Sequence, residues 1–229
     1  MTVDDRGGNM STQDDEGADL EALLASPEET GDYDCTVPPE FAGEGEEGPE
    51  GPPQPLDDAC SRQYAAVRQS GRRDLSQIGL IVIHCTQSNS ARSSAQWFEN
   101  TRAQGSAHLV VDDVECYRTL DNEVIPWGAK GANTRGFHIE IAGFAEWNHG
   151  EWMKHEQALR RAAYKAAVHA KKFGIPIRWL TPEQLKAGQK GFVTHAMCTT
   201  AFGGTHSDPG RQCPTDQLLE WAKAFANEL

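Results

Sequence analysis

The chain contains no run of about 18 apolar residues, which excludes a membrane-spanning helix. Its first residues are acidic, where an export signal would be basic and then apolar, so synthesis and folding in a cytoplasm are expected. No Cys-x-x-Cys pair occurs. In the absence of an export signal the six cysteines, Cys35, Cys60, Cys85, Cys116, Cys198 and Cys213, are expected to be mostly free thiols. There is no His-Glu-x-x-His helix, which removes the common metalloprotease pattern. There is also no dense Lys/Arg patch and no nucleic-acid-binding motif, so no nucleic-acid partner is expected.

Positive charge is nearly missing from the first quarter. Residues 1–58 carry 18 Asp/Glu against one basic residue, Arg6, for a net charge of −17. Residues 59–229 carry 20 Lys/Arg against 16 Asp/Glu, for a net charge of +4. The first region is also poor in aromatics and rich in Gly, Pro and Glu, as in "PPEFAGEGEEGPEGPPQP". It cannot bury enough apolar surface to offset its ordering entropy, so an acidic disordered tail over 1–58 and a folded body over 59–229 are expected. Within the tail, "ADLEALLASPEE" has the pattern of a transient helix or docking segment.

The body alternates strand and helix signals. "IGLIVIHCT" (78–86) is a continuous β-branched apolar run, the mark of a central strand buried on both faces. "SSAQWFENTRAQ" (93–104) predicts a helix. "AHLVVDD" and "ECYRTL" predict two strands paired through Asp113 and Val114. In "GFHIEIAG" (136–143) the period of two puts Phe137, Ile139 and Ile141 on one face and His138 and Glu140 on the other. Residues 156–173 predict an amphipathic helix. Its stripe is Leu159, Ala162, Ala163, Ala166, Ala170 and Phe173, set opposite Arg160, Arg161, Lys165 and Lys172. Thr181-Pro-Glu-Gln184 is a capping box that starts a short helix. A last helix follows Pro214, with Thr215 as N-cap and Leu218, Trp221, Ala222 and Phe225 facing inward. The fold class expected is α/β: one mixed β-sheet flanked by helices.

Eight histidines are present, and position sorts them. His149, His155 and His169 lie among polar residues and are expected to be ordinary surface or satisfied core groups rather than ligands. His84 closes a wholly apolar strand, and strand ends at the rim of a sheet are where sites are built. "FVTHAMCTTAFGGTHSDPG" (192–210) adds His195, Cys198, His206 and Asp208, with Cys213 just beyond. A catalytic zinc wants three protein ligands and one open position, and composition alone does not choose among these candidates.

Four ordered blocks, "LIVIHCTQS", "GSAHLVVDD", "NTRGFHIEIAG" and "THAMCTTAFGGTHSDPG", resemble the type 2 zinc-dependent N-acetylmuramoyl-L-alanine amidases, whose fold is shared with the peptidoglycan recognition proteins. The likeness runs over roughly residues 76–226 and is nearest to the amidase domains of phage endolysins. It implies a Zn2+ cofactor held by His84, His195 and Asp208, with Cys213, in "-Cys-Pro-", as the alternative third ligand used by other branches. It also implies Glu140 as the catalytic carboxylate and places His206 where relatives commonly carry a transition-state-stabilising lysine. His206 as a group that orients Asp208 stays open beside that reading. The implied substrate is peptidoglycan, cut between N-acetylmuramic acid and L-alanine. A monomer made in a host cytoplasm and acting on the wall after release is expected. Gly128, after Trp127, departs from the histidine or alanine of many relatives. Trp127, Asn133 and Trp147 are candidates for lining the substrate groove, with ordinary packing as the alternative.

Overall fold

The computed structural model describes residues 33–41, 56 and 59–229. Seven strands and six α-helices follow one another among the described residues. They are β1 Gln69–Arg72, β2 Leu80–Cys85, α1 Ala91–Glu99, β3 Leu109–Val111, β4 Cys116–Arg118, β5 Val124–Pro126, β6 Gly136–Ile141, α2 His149–Lys154, α3 Glu156–Phe173, α4 Pro182–Lys186, β7 Gly191–Thr194, α5 His195–Phe202 and α6 Thr215–Glu228. Five strands form one mixed sheet in the order β4-β3-β6-β2-β7, and β1 pairs with β5 in a small antiparallel ribbon. The α/β expectation of a single mixed sheet flanked by helices holds for the main sheet.

The apolar run of 78–86 becomes β2, flanked on both sides by parallel partners, β6 and β7, and buried along its whole length. Such a strand has no solvent face, which is why its sequence does not alternate. β6 does alternate. Phe137, Ile139 and Ile141 join Ile81, Ile83 and the small residues of α3 in the largest core, where α6 adds Leu218, Leu219 and Ala222. Full burial of a Leu, Ile or Phe contributes about 1.5–3 kcal/mol, so this face dominates the stability of the domain. The opposite face of β2 meets Ala129, Ala132, Leu180 and Leu185 and, from α5, Cys198 and Ala201.

Local signals set the ends of the helices. α3 starts with Glu156 and ends at Gly174 in the left-handed region (φ 60°), with Lys171 and Lys172 in the last turn. Charges so placed complement the helix dipole, and only glycine takes that φ without cost. Thr181 and Gln184 form the reciprocal capping box of α4, with Pro182 at its first position. Three local expectations need correction. α1 begins at Ala91, because Ser90 caps it by accepting from the Ser93 N–H, and it stops at Glu99. α6 starts at Thr215, with Pro214 in the cap position. Arg161 and Lys165 are buried although they lie off the apolar stripe. Arg161 donates to the carbonyls of Asp112 and Asp113, and Lys165 donates to Ala59, so their charges are satisfied inside.

Cys60 and Cys116 form a disulfide, and Cys35, Cys85, Cys198 and Cys213 are free and buried. The Ser61 N–H donates to the Cys116 carbonyl, which sets the two chains side by side. The "ADLEALLASPEE" stretch lies outside the described residues, as does most of the acidic tail. Within 1–58, residues 33–41 are described and pack on the body through their apolar side chains. Tyr33, Cys35 and Val37 are buried, and the Phe41 ring packs tilted against Trp97 with centroids 4.8 Å apart.

Candidate active site

Strand register builds the first half of the site. In the β2–β6 pair His84 is the register partner of Glu140, and Val82 of His138. Register partners in a parallel pair share a face, so His84, His138 and Glu140 all stand on the face opposite the main core. The second half arrives at the end of β7. Thr194 closes that strand and caps α5 by accepting from the Met197 N–H, so His195 is the first residue of the helix and stays at the rim. Asp208 lies on the loop after α5, and its carbonyl accepts from the Ala196 N–H at 3.0 Å, which ties the loop to the start of the helix.

Three donors converge. His84 Nδ1 lies 3.2 Å from His195 Nδ1 and 3.2 Å from Asp208 Oδ2, while His195 Nδ1 lies 3.0 Å from Asp208 Oδ1. Together they form a group able to hold a metal ion, with one donor atom per residue and all donors within 4.8 Å of one another. Cys213, the alternative third ligand, is not in this group. It sits in the apolar core beneath α6, and burial raises its thiol to about 12. Glu140 Oε1 is 3.9 Å from His84 Nδ1. His206 stacks on His195 with ring centroids 4.4 Å apart, its Nδ1 3.8 Å from Asp208 Oδ1, and it keeps some exposure at the mouth.

Burial controls the charges. It holds His84 down to about 4 against the opposing hydrogen bond to Asp208, so the imidazole is neutral, the form that ligates a cation. Burial alone would raise Asp208, but the facing imidazoles of His195 and His84, through electrostatic attraction and hydrogen bonding, hold the carboxyl well below its ordinary range. Glu140 is fully buried, and desolvation, followed by the charge of Asp208, raises it well above the carboxylate range. Neither of its oxygens has a well-formed hydrogen bond, although the Cys35 thiol stands beside it. A buried, unsatisfied carboxylate next to three converging donors lacks a positive partner.

Two residues given little weight in the sequence belong to this surrounding. His138 Nδ1 is 3.0 Å from His84 Nε2, on the side of the ring away from the donors. Behind it, His108 is structural: its Nδ1 accepts from the His138 N–H. Cys35, placed in the tail by composition, lines the cavity over the site together with Thr36, Gln87, Ala145, His206 and Asp208. The shared face of His138 and Glu140 was a legible signal for the first. No local signal marks the second.

Of the groove candidates, Asn133 is structural: its Oδ1 accepts from the Gly128 and Ala129 N–H groups. Trp147 stacks on His155 with ring centroids 4.7 Å apart. Trp127 donates to Ser70 Oγ at 2.6 Å, and its ring packs against Tyr33 at 5.3 Å. No helix among the described residues is long and apolar enough to cross a membrane.

Comparison with solved structures finds the same fold. The Staphylococcus aureus hydrolase AmiA, crystallised with its ligand, shares 19% identity over 73% of this chain and 83% of that one, with a TM-score of 0.57. The PlyG catalytic domain shares 14% identity over 73% and 95%, with a TM-score of 0.51. A mutant of PlyL shares 13% identity over 72% and 99%, with a TM-score of 0.51. No curated protein sequence matches the chain. The family model described as N-acetylmuramoyl-L-alanine amidase matches residues 74–211, from the turn before β2 through the Asp208 loop. That match covers more than half of the sequence and takes in every residue of the converging group, so the chain belongs to the type 2 N-acetylmuramoyl-L-alanine amidase family and is an enzyme of that kind.

Proposed function

We propose that the protein is a zinc-dependent endolysin that hydrolyses the amide bond between N-acetylmuramic acid and L-alanine in peptidoglycan. His84, His195 and Asp208 would hold the metal, Glu140 would act as the catalytic carboxylate, and His206 would stabilise the transition state. The observation that carries this reading is the convergence of two imidazole nitrogens and one carboxylate at 3.0–3.2 Å beside a buried, unpartnered glutamate. Two histidines and one carboxylate are a usual donor set for a catalytic zinc, and three protein donors leave a position open.

Zinc bound there would supply Lewis acidity toward water and the amide carbonyl. The chain's own residues do the rest. With a cation held at His84 Nδ1, the proton of that ring would sit on Nε2 and be donated to His138 Nδ1, 3.0 Å away. Glu140 takes a proton from the attacking water and returns it to the departing amine of L-alanine, a general base turned general acid. His206, at the mouth and stacked on His195, donates to the carbonyl oxygen as negative charge develops there. The net charge of +4 over residues 59–229 suits an anionic wall polymer.

Product analysis on purified peptidoglycan tests the reaction. Glycan strands freed of stem peptides, with new L-alanine amino termini, are expected. New amines between stem-peptide residues would make the protein a peptidase, and wall binding with no cleavage would make it a recognition module. Metal content by mass spectrometry, with zinc near one per chain, tests the cofactor.

A further inference from the structure

Glu140 and His84 are 0% exposed and His195 is 2% exposed. A carboxylate that hands protons between water and substrate has to be reached by both, so something covers it. The cover is a described piece of the N-terminal region. Tyr33 packs on Trp127, directly after β5. Cys35 Sγ lies 3.6 Å from the Trp127 carbonyl and 3.8 Å from the Ser106 carbonyl, beside the Glu140 carboxylate. The Val37 N–H donates to the carbonyl of Thr86, the residue after β2, at 3.0 Å. The segment thus crosses the carboxyl ends of the strands that carry Glu140 and His84. The cavity left beside it is about 130 Å³, whereas clefts for even drug-sized ligands run to roughly 300–1,000 Å³.

The wall of the cleft is shaped for this occupant. A Cβ at Gly105 would lie 2.6 Å from Cys35 Sγ and 2.8 Å from the Asp34 carbonyl oxygen, so any other residue at 105 would force the segment to shift.

We propose that residues 33–41 are an autoinhibitory strap, which occupies the substrate cleft over Glu140 and has to leave before a muramyl peptide can enter. This rests on the amidase reading of the site. The observed rate then scales with the fraction of molecules whose strap is off.

Two full-length variants release the strap from opposite sides. Gly105→Val acts from the cleft wall, and Val37→Asp breaks the apolar seat of the strap. Neither touches the donors or Glu140. Each is assayed with a soluble muramyl peptide and by alkylation of Cys35, read at that peptide by mass spectrometry so that the other buried thiols are not counted. The expected result is faster Cys35 alkylation together with a rise in kcat/KM of about tenfold or more, because the competent fraction is no longer small. Faster alkylation with kcat/KM unchanged or lowered would overturn the strap. So would rapid Cys35 alkylation in the unaltered chain. If the unaltered chain already hydrolyses as fast as the variants, the amidase reading stands and the strap alone falls. If neither form hydrolyses the peptide, both fall together.

Discussion

Gly128 and His138 compete for one volume: a Cβ added at Gly128 would lie 2.3 Å from His138 Nδ1. That nitrogen is the one set against His84 Nε2. The glycine that departs from many relatives is therefore what lets a buried histidine stand behind a donor of the site.

Gly128→Ala is expected to displace the His138 ring and lower metal affinity by about 10–100-fold, the usual effect of losing a partner that orients a ligating histidine. A chelator competition titration checks this. His138→Asn, which offers an acceptor near the position of Nδ1, is expected to retain more affinity than His138→Ala. Equal affinity across all three variants and the parent would remove the orienting role.

His84→Ala, His195→Ala and Asp208→Ala are each expected to lose bound metal and wall lysis, because each removes one of the three donors that converge among the described residues. Cys213→Ala is expected to keep both. Its cost is a small cavity in the main core, about 1 kcal/mol in a denaturant titration. Metal loss in Cys213→Ala with retention in Asp208→Ala would reverse the assignment of the third ligand.

Glu140→Gln is expected to keep the fold and the metal and to lower kcat by about 10²–10⁴-fold, the range for removing a general acid–base. The metal-free variant is also expected to melt above the metal-free parent, since it no longer buries an unpaired carboxylate. Calorimetry on both metal-free proteins checks the second point, and a lower melting temperature for the variant would contradict it.

His155 gives the fold a pH dependence of definite sign. Its hydrogen bond to Asp113 at 2.6 Å raises it above the ordinary histidine value, against a smaller opposing effect of burial, with Glu151 adding to the rise and Lys154 opposing it. The folded value is above the unfolded one, so this stabilisation is complete below about pH 6.5 and is lost as pH rises through the folded value. The pair is partly exposed, and screening keeps the effect under about 1 kcal/mol. Denaturant titrations of the parent and His155→Gln across pH 6 to 9 are expected to converge at the alkaline end. A gap that widens with pH would contradict the assignment.

Much of the fold was legible because its signals are local. The run 78–86 had no polar face, which only a strand covered on both sides tolerates, and β2 is such a strand. The alternation of 136–143 assigned the faces of β6 correctly, and Glu156–Phe173 matched the predicted helix end to end. Arg161 and Lys165 were misread because helical spacing records which side chains are apolar, not which polar ones will find carbonyls inside. The site was legible as a set of candidates, His84, Glu140, His195, His206 and Asp208, through resemblance of ordered blocks rather than through spacing.

By itself the sequence determined the strands β2, β3, β4 and β6, the helices α1, α3, α4 and α6, their apolar faces and the short list of polar groups at strand ends, since these depend on neighbours two to four positions away. Only the tertiary structure decided which donors meet. His84 and His195 are 111 residues apart, and their contact depends on strand register and on the path of the loop that brings Asp208 in and leaves Cys213 in the core. The same holds for His138 behind His84, the Cys60–Cys116 bridge and the placement of Cys35 over Glu140. Each is a meeting of distant segments, and convergence in space is a property of the packed chain that no local pattern encodes.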